Sequence, residues 1–449
     1  MFQKLIDLSV KLVRRYLPDP FVFAILLTLV AALCAIFITN QTPLEVVQNW
    51  GDGLWSLLGF AMQMALVIVC GSALADAPLV KRFLSKIASN ITTQLGAIAV
   101  TTFVASVACW INWGFGLIVG VIFAKEIAKQ VRTVDYRLLI ASAYSGFVVW
   151  HAGLSASIPL AMATAGPTLT EVSRGCITEA IPIAETIFAT HNIIIVVVVI
   201  LALTLINSLM HPKPERAFCI DVNLLIEEKD CEIEKNSPAE KLNDSKILSG
   251  IVALIGITYL VVKLGFLGGG FDLNTAILVF LLLGVIFYGS PIRYVNAIGK
   301  ASSSCAGIIL QFPFYAGIMG IMTCSSADGI SLAGAISEAC ISIANQTTFP
   351  LLSFLSAGLV NVFVPSGGGQ WAVQGPIMIP AGVELGVNPA ITGMAIAWGD
   401  AWTNLIQPFW ALPALAIAKL DAKDIMGYCL IDLFVVGIIV CAGFVLLML

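Results

Sequence analysis

The fold of this chain is decided by two segments, WINWGFGL at residues 110–117 and NVFVPSGGGQW at residues 361–371. They interrupt two stretches without charged residues, Ile87 to Ala124 and Ala339 to Val383. A membrane-spanning helix needs only about 20 apolar residues, so each stretch is long enough for two helices. Irregular backbone at membrane depth must lie in protein or line a water-filled cavity. Two matched breaks therefore predict the binding site of a secondary transporter.

The composition is that of a polytopic membrane protein. Of the 449 residues, 59% are hydrophobic and 11% are charged, against about 25% charged residues in soluble domains. Uncharged runs recur along the chain and predict about 10 to 13 membrane passes, counting re-entrant and broken segments. We therefore expect an all-α fold embedded in a lipid bilayer. The net charge of −4 and the lack of a basic patch argue against a nucleic-acid partner.

The N-terminus predicts an interfacial helix and not a cleavable signal peptide. Residues 1–17 place apolar side chains at roughly helical spacing with four basic residues between them, and Pro18-Asp19-Pro20 begins the first span. Basic residues cluster again at 81–86 and at 125–137. The positive-inside rule places such clusters at the cytoplasmic face.

A polar, acidic loop at residues 213–246 divides the chain into two membrane halves, residues 1–212 and 247–449. In the first half, we expect a hairpin at about 87–124 and a broken helix at about 138–170. In the second, the corresponding segments are a hairpin at about 345–384 and a broken helix at about 389–418. In both halves the broken helix follows the break by about 35 residues, which suggests a duplicated architecture. The loop itself is a solvated linker or a regulatory segment.

The candidate binding site contains no fixed cation, because neither break nor either broken span holds Lys or Arg. A carboxylate would then be held by half-helix N-termini, backbone N–H groups and neutral polar side chains. The residues that supply them are Asn112, Gly114, Ser155, Ser366, Gly367, Gly368, Gln370, Thr403 and Asn404. The glycines allow close approach of a ligand to the backbone, or they form only a flexible turn. Trp113, Trp371 and Trp402 either enclose an acyl tail or pack structurally.

Asp400 is the strongest single candidate for a functional residue, since it is a carboxylate placed in mid-span between two tryptophans. Charges at such depth are rare and usually functional. Na⁺ coordination by Asp400, Thr403 and Asn404, proton carriage or a helix-capping role would each explain it. His151 is a second ion-coupling candidate, although it also fits a structural role. No other cofactor is indicated, because the 11 cysteines show neither CxxC nor Cys/His ligand spacing.

The ordered motifs resemble the short-chain fatty acid transporters, the AtoE family. The resemblance covers essentially the whole length, through RRYLPDPFVFAILLTL at 14–29, the two break segments and WGDAWTN at 398–404. It implies a multi-pass carrier of the bacterial inner membrane for short monocarboxylates such as acetoacetate or butyrate. It also implies two inverted-topology repeats with re-entrant hairpins, a scaffold domain, an elevator-like transport domain, ion coupling and a homodimer.

Other functions remain open at this point. The same fold carries dicarboxylates or amino acids, and a channel shares its composition. Gly153-Leu154-Ser155-Ala156 with His151 and His191 faintly resembles an intramembrane serine hydrolase. That reading leaves the second break unexplained, so we expect no catalytic residues and no enzyme.

Overall fold

The computed structural model describes residues 2–221, 225, 237–266, 273–325 and 329–446. Every regular element in these ranges is helical, which confirms the predicted all-α membrane fold. Seven segments are long and apolar enough to cross a membrane: Pro20–Ile38, Gln94–Ile111, Tyr136–Met162, Thr190–Leu209, Pro238–Phe266, Ala306–Thr323 and Ala422–Leu446. Five shorter apolar helices accompany them. Within the predicted polar loop, residues 222–224 and 226–236 lie outside the described residues, so its role stays a prediction.

The first half contains eleven described helices. They are α1 Phe2–Tyr16, α2 Pro20–Ile38, α3 Pro43–Gly53, α4 Leu58–Asp76, α5 Pro78–Ala88, α6 Gln94–Ile111, α7 Trp113–Gln130, α8 Tyr136–Ser145, α9 Ser157–Met162, α10 Pro167–Val172 and α11 Thr190–Leu209. A 3-10 segment, Gly146–Ala152, continues α8 towards α9.

Helices α6 and α7 form the first hairpin, which turns at Asn112. The arms pack so closely that a methyl group on Gly116 would overlap the backbone nitrogen of Cys109. At the base of the hairpin, the Gln94 side chain donates to the carbonyl of Thr133 at 2.9 Å. The Asn112 side chain accepts from the Phe115 N–H at 3.0 Å, because it is the N-cap of α7. A single residue, the helix cap Asn112, thus separates two helices of 18 residues each.

Eleven further α-helices are described, of which the first, α12, lies within the predicted polar loop. They are α12 Pro238–Asn243, α13 Lys246–Val261, α14 Leu273–Tyr288, α15 Pro291–Ser302, α16 Ala306–Thr323, α17 Leu332–Ile341, α18 Phe349–Phe363, α19 Gly367–Glu384, α20 Pro389–Thr403, α21 Pro408–Ala418 and α22 Ala422–Leu446. A 3-10 turn, Asn404–Ile406, lies between α20 and α21.

Helices α18 and α19 form the second hairpin, which turns at residues 364–366. The Gln370 side chain donates to the carbonyl of Ala357 at 2.8 Å, across the two arms. At the base, the Gln346 side chain donates to the carbonyl of Gly386 at 3.2 Å. Ser366 is the N-cap of α19, as Asn112 is of α7. The second hairpin therefore repeats the construction of the first.

Each broken helix runs parallel to the first arm of its own hairpin. In the first half, a methyl group on Gly146 would lie 2.6 Å from the backbone nitrogen of Ser106, and Leu154 N–H donates to the Trp110 carbonyl at 2.8 Å. In the second half, the Thr403 hydroxyl donates to the Gly358 carbonyl at 2.9 Å, and the Gln407 side chain to the Val362 carbonyl at 2.6 Å. In each half, residue numbers rise in the same direction along the broken helix and the first hairpin arm. The broken helix is therefore packed against its hairpin in the same way in both halves.

The two broken helices run antiparallel to one another through the middle of the molecule. The Tyr144 hydroxyl donates to the carbonyl of Asn404, and His151 contacts Asp400. Further along, Met162 lies against Gly393. As residue numbers rise on one helix they fall on the other. The segments where both helices lose regular α geometry, Gly146–Ala152 and Asn404–Ile406, are consequently brought together.

Candidate functional site

The centre of the candidate site is a buried pair formed by His151 and Asp400. The imidazole Nδ1 lies 2.7 Å from the carboxylate Oδ2, and the two residues are 0% and 1% exposed. The other ring nitrogen, Nε2, accepts a hydrogen bond from the Ile158 N–H at 3.1 Å. Nε2 is therefore unprotonated and the ring proton is on Nδ1, so a neutral imidazole donates to Asp400.

The second carboxylate oxygen of Asp400 lies in different surroundings from the first. Oδ1 is buried and has no hydrogen-bond partner among the described residues. A buried carboxylate oxygen without a donor is costly unless it takes up a proton or contacts a cation. Asp400 thus offers the site one oxygen at which an ion can bind.

A polar cluster surrounds the end of α20, next to Asp400. The Asn361 amide nitrogen lies 2.8 Å from the Asp400 carbonyl, 2.9 Å from the Thr403 hydroxyl and 2.8 Å from the Asn404 side-chain oxygen. An amide nitrogen has two hydrogens, so it can satisfy only two of these three acceptors fully. Three oxygens therefore converge on this one nitrogen, while the Asn404 amide nitrogen is buried without a hydrogen-bond partner among the described residues.

The oxygens of this cluster are of the chemical types that bind a hard cation, although they face the Asn361 amide nitrogen in this structure. Carbonyl, hydroxyl and amide oxygens from Asp400, Thr403 and Asn404 are of the ligand types that such ions take in proteins. The cluster also lies at the C-terminal end of α20, where the helix dipole favours positive charge. These are the three residues that the sequence predicted as a Na⁺ site.

Both hairpin tips reach Trp150, which stacks on His151 of the buried pair. At the first tip, Trp113 N–H donates to the Ser155 hydroxyl at 2.9 Å, and the Trp113 ring lies 5.9 Å from that of Trp150. At the second tip, a methyl group on Gly367 would lie 2.6 Å from His151 Cε1 and 3.0 Å from the Trp150 ring. The start of α7 and the start of α19 therefore approach the same tryptophan. N-terminal turns of helices are favourable places for an anion.

The second tip also has an open position. Gly368 is exposed, and a methyl group built on it would meet nothing within 4 Å. Ser366 is only partly buried, and its hydroxyl accepts from the Gly369 N–H at 3.3 Å. Gly368 and Ser366 are thus accessible next to the buried pair, whereas Gly367 is buried.

The aromatic wall of the site differs from the one expected. Trp150 stacks on the His151 ring at 4.1 Å and on Phe147 at 5.7 Å, and Trp410 lies 5.4 Å from Trp113. Trp402 instead packs on Phe354. Trp371 belongs to a separate apolar cluster. Of the three tryptophans named from the sequence, Trp113 alone contributes to this wall, which is otherwise built from residues that the sequence did not single out.

Two other predicted residues lie away from any open surface. Gln370 is fully buried between the hairpin arms, where its amide nitrogen also contacts the Gln374 side-chain oxygen at 3.0 Å. Gly114 is buried in the first turn of α7. Gln370 thereby joins the two arms of the second hairpin near the start of α19.

The sequence reasoning missed a second buried carboxylate, Asp432 on α22. The Asn207 amide lies between it and two hydroxyls, at 3.3 Å from Thr102 and 2.9 Å from Ser145. With its nitrogen turned to Asp432, that amide lies 3.0 and 3.2 Å from the carboxylate oxygens. A signal was available, because Asp432 is a carboxylate within a long apolar helix. Asn361 carried no comparable signal, since polar amides are frequent near helix ends.

Comparison with known proteins agrees with this architecture. The sequence model of the family described as "Short chain fatty acid transporter" matches residues 1–447. An Escherichia coli (strain K12) protein named "Putative short-chain fatty acid transporter" is 46% identical over 439 residues, which cover 97% of this chain and 98% of that protein. A Haemophilus influenzae protein of the same name is 44% identical, covering 95% and 97%.

Solved structures give a more distant likeness. The Alcanivorax borkumensis YdaH transporter is 15% identical with a TM-score of 0.40, over 95% of this chain and 98% of that one. Neisseria gonorrhoeae MtrF is 15% identical with a TM-score of 0.38, over 98% and 97%. Likeness at this level carries no argument about mechanism.

The family match extends over nearly the whole chain, and the two relatives are matched over nearly their whole lengths. The family and these relatives are transporters and not enzymes, so the transporter prediction is confirmed and the hydrolase alternative is wrong. The chain belongs to the short-chain fatty acid transporter family.

Proposed function

We propose that this protein is an ion-coupled secondary transporter of short monocarboxylates, such as acetoacetate or butyrate, in the bacterial inner membrane. The observation that carries the proposal is the buried Asp400–His151 pair, with both hairpin tips close to the neighbouring Trp150. Family membership supports the substrate class.

The carboxylate of the substrate binds at the N-terminal turns of α7 and α19. Ser155, Ser366 and the backbone of Gly367 and Gly368 provide neutral donors near these turns. A single carboxylate matches this donor set, because the sequence places no Lys or Arg in either break or broken span to neutralise a second one. The short acyl tail packs against Trp113 and Trp150.

Asp400 couples transport to an ion. Its Oδ1 takes up H⁺ or contacts Na⁺, with the Thr403 and Asn404 oxygens as further ligands. Either ion places positive charge beside the substrate anion and offsets the cost of the buried carboxylate. His151 fixes the orientation of Asp400 through its Nδ1–H donation.

The transport movement follows from the two repeats. Equivalent broken helices that run antiparallel support an inverted-topology relationship, with the hairpins and broken helices moving together as an elevator-like domain. The remaining helices form the scaffold, and the functional unit is a homodimer as the family resemblance implies.

Uptake of radiolabelled butyrate into proteoliposomes, with Na⁺ and pH gradients imposed separately, tests the proposal. We expect saturable uptake, counterflow by unlabelled butyrate and dependence on one of the gradients. Acetate and acetoacetate should compete, whereas succinate, citrate and amino acids should not. Uptake without saturation or counterflow would indicate a channel, and competition by succinate stronger than by butyrate would overturn the monocarboxylate assignment.

A further inference from the structure

A basic cavity lies at one edge of the membrane region, apart from the candidate transport site. Its volume is about 620 Å³, and it is bounded by α1, the start of α8, the segment after α11 and Tyr428 of α22. Six basic side chains line it: Lys4, Lys11, Arg14, Arg137, Lys213 and Arg216. Two acidic side chains, Asp7 and Asp135, line it as well. The walls therefore carry an excess of positive charge.

Among the described residues, ion pairs engage three of these six cations. Arg14 and Arg137 lie 2.8 and 3.0 Å from the same carboxylate oxygen of Asp424, and Arg216 lies 3.3 Å from Asp7. Lys4, Lys11 and Lys213 have no carboxylate within ion-pair distance among the described residues.

Asp135 does not compensate these lysines. Its two oxygens accept backbone N–H groups of Leu138 and Phe218 at 2.9 and 2.7 Å. Burial raises the pKa of Asp135, although both hydrogen bonds oppose this shift. Asp135 therefore interacts with the backbone and does not neutralise the three lysines. These lysines remain available to an external anion.

The exposed surface of α1 indicates that the cavity lies at the membrane interface. One face of α1 is fixed to α22, where the Ser9 hydroxyl donates to the Gly427 carbonyl at 2.6 Å. A second face is an apolar stripe with side chains half or more exposed, formed by Leu5, Leu8, Leu12 and Tyr16. Such a stripe on a basic helix is typical of a helix that lies in the membrane interface.

The basic face of α1 borders this stripe. At 100° per residue, Lys4 and Lys11 project next to Leu8, and Lys4, Asp7, Lys11 and Arg14 together form the face towards the cavity. A molecule with an anionic head and apolar chains can therefore fill the cavity and cover the stripe at once. A soluble anion would fill the cavity only.

We propose that this cavity binds the phosphate headgroup of an anionic phospholipid whose acyl chains lie along the Leu5–Leu8–Leu12 stripe. Basic pockets between helices at a membrane surface bind such headgroups. The bound lipid would neutralise the lysines and hold α1 against α22. The inference is independent of the transported substrate, because the cavity shares no residue with the transport site.

Native mass spectrometry and thermal unfolding of the detergent-solubilised full-length protein test the proposal. The probes are phosphatidylglycerol, phosphatidylcholine and inorganic phosphate. We expect phosphatidylglycerol to remain bound and to raise the unfolding temperature. The Lys4→Gln/Lys11→Gln/Lys213→Gln variant should bind it at least about tenfold more weakly. The matched control Lys86→Gln/Lys241→Gln/Lys246→Gln removes the same charge elsewhere and should bind normally.

A second variant separates the two parts of the ligand. Leu5→Ser/Leu8→Ser should weaken phosphatidylglycerol binding while all the basic side chains remain. If the triple lysine variant does not fold, Lys11→Gln alone is expected to give a smaller loss in the same direction. Equal stabilisation by phosphatidylcholine, by inorganic phosphate alone, or equal phosphatidylglycerol binding by the triple and control variants would overturn the proposal.

Discussion

At the scale of single residues, the hydrogen bonds of His151 assign different tasks to the two members of the buried pair. Because Nε2 accepts the Ile158 N–H, a second ring proton would require that bond to break. Asp400 Oδ1 has no hydrogen-bond partner among the described residues, so it can take up an ion without breaking a bond. The geometry therefore favours Asp400 as the ion-binding group and His151 as the residue that positions it.

Asp400→Asn should abolish gradient-driven accumulation of butyrate while the protein remains folded. The amide keeps the size of the carboxylate and can still accept from His151, but it removes the charge. An ionised carboxylate at mid-depth costs about 2.5 to 3.5 kcal/mol on the lenient insertion scale, so the variant should be no less stable. Uptake under Na⁺ and pH gradients measures the effect, with the exposed Asp421→Asn as control. If butyrate uptake by the variant depends on the gradients as in the unmodified protein, Asp400 has only a structural, helix-capping role.

His151→Gln should retain gradient-driven uptake, whereas His151→Leu should lose it. A glutamine can donate to Asp400 and accept from Ile158, which are the two bonds that the neutral imidazole makes. Leucine can do neither, and leaving buried partners without a bond costs about 1 to 3 kcal/mol each. Rates and thermal unfolding of both variants provide the measurement. If both variants are equally inactive although both fold, the imidazole itself is a proton carrier.

At the scale of elements, the hairpins depend on one capped break and on close packing of their arms. Asn112 and Ser366 each adopt an extended backbone conformation and cap the helix that follows. The first hairpin has its arms nearly in backbone contact at Gly116. A hairpin of this kind is stiff, because neither arm can move without displacing the other.

Gly116→Ala should destabilise the protein by about 1 to 3 kcal/mol, as expected for overpacking. The added methyl would overlap the backbone of Cys109, which cannot rotate out of the way as a side chain can. Gly59→Ala is the control, since nothing lies within 4 Å of the added methyl in α4. Alanine is there expected to be neutral or stabilising by about 0.5 to 1 kcal/mol. The thermal unfolding midpoints of the two variants, measured in the same detergent, test this prediction. Equal midpoints would show that the arms are loosely packed.

At the scale of the whole molecule, the hairpin and broken helix of one half have counterparts in the other, and the two broken helices run antiparallel. The breaks at Asn112 and Ser366 and the ends of the 3-10 segments, Ala152 and Ile406, have the same spacing along the chain. Side-chain hydrogen bonds also close the base of each hairpin in the same way.

Labelling of single cysteines should therefore place the two hairpin bases on opposite membrane faces. In a cysteine-free background, Thr92→Cys and Arg132→Cys should react with an impermeant thiol reagent from one side. Thr347→Cys and Glu384→Cys should react from the other side. Labelling of the last two from different sides would mean that α18 and α19 are two true spans. Labelling of all four from one side would exclude inverted topology.

The sequence by itself determined the membrane class, the helical fold and the positions of both breaks. These features are local. Hydrophobic runs form helices in lipid, and a helix-capping residue close to glycine determines where a run is interrupted. Asp400 was also visible, because a carboxylate within an apolar run is costly wherever the chain folds.

Only the tertiary structure decided what these segments do together. His151 and Asp400 are 249 residues apart, and their pairing depends on two broken helices crossing in antiparallel register. Asn361 and the Trp150–Trp410 wall likewise join the site through packing between elements. A single sequence carries no record of such distant contacts, since many pairings of apolar helices bury similar area. The choice among them rests on hydrogen bonds and close packing that form only when the halves meet.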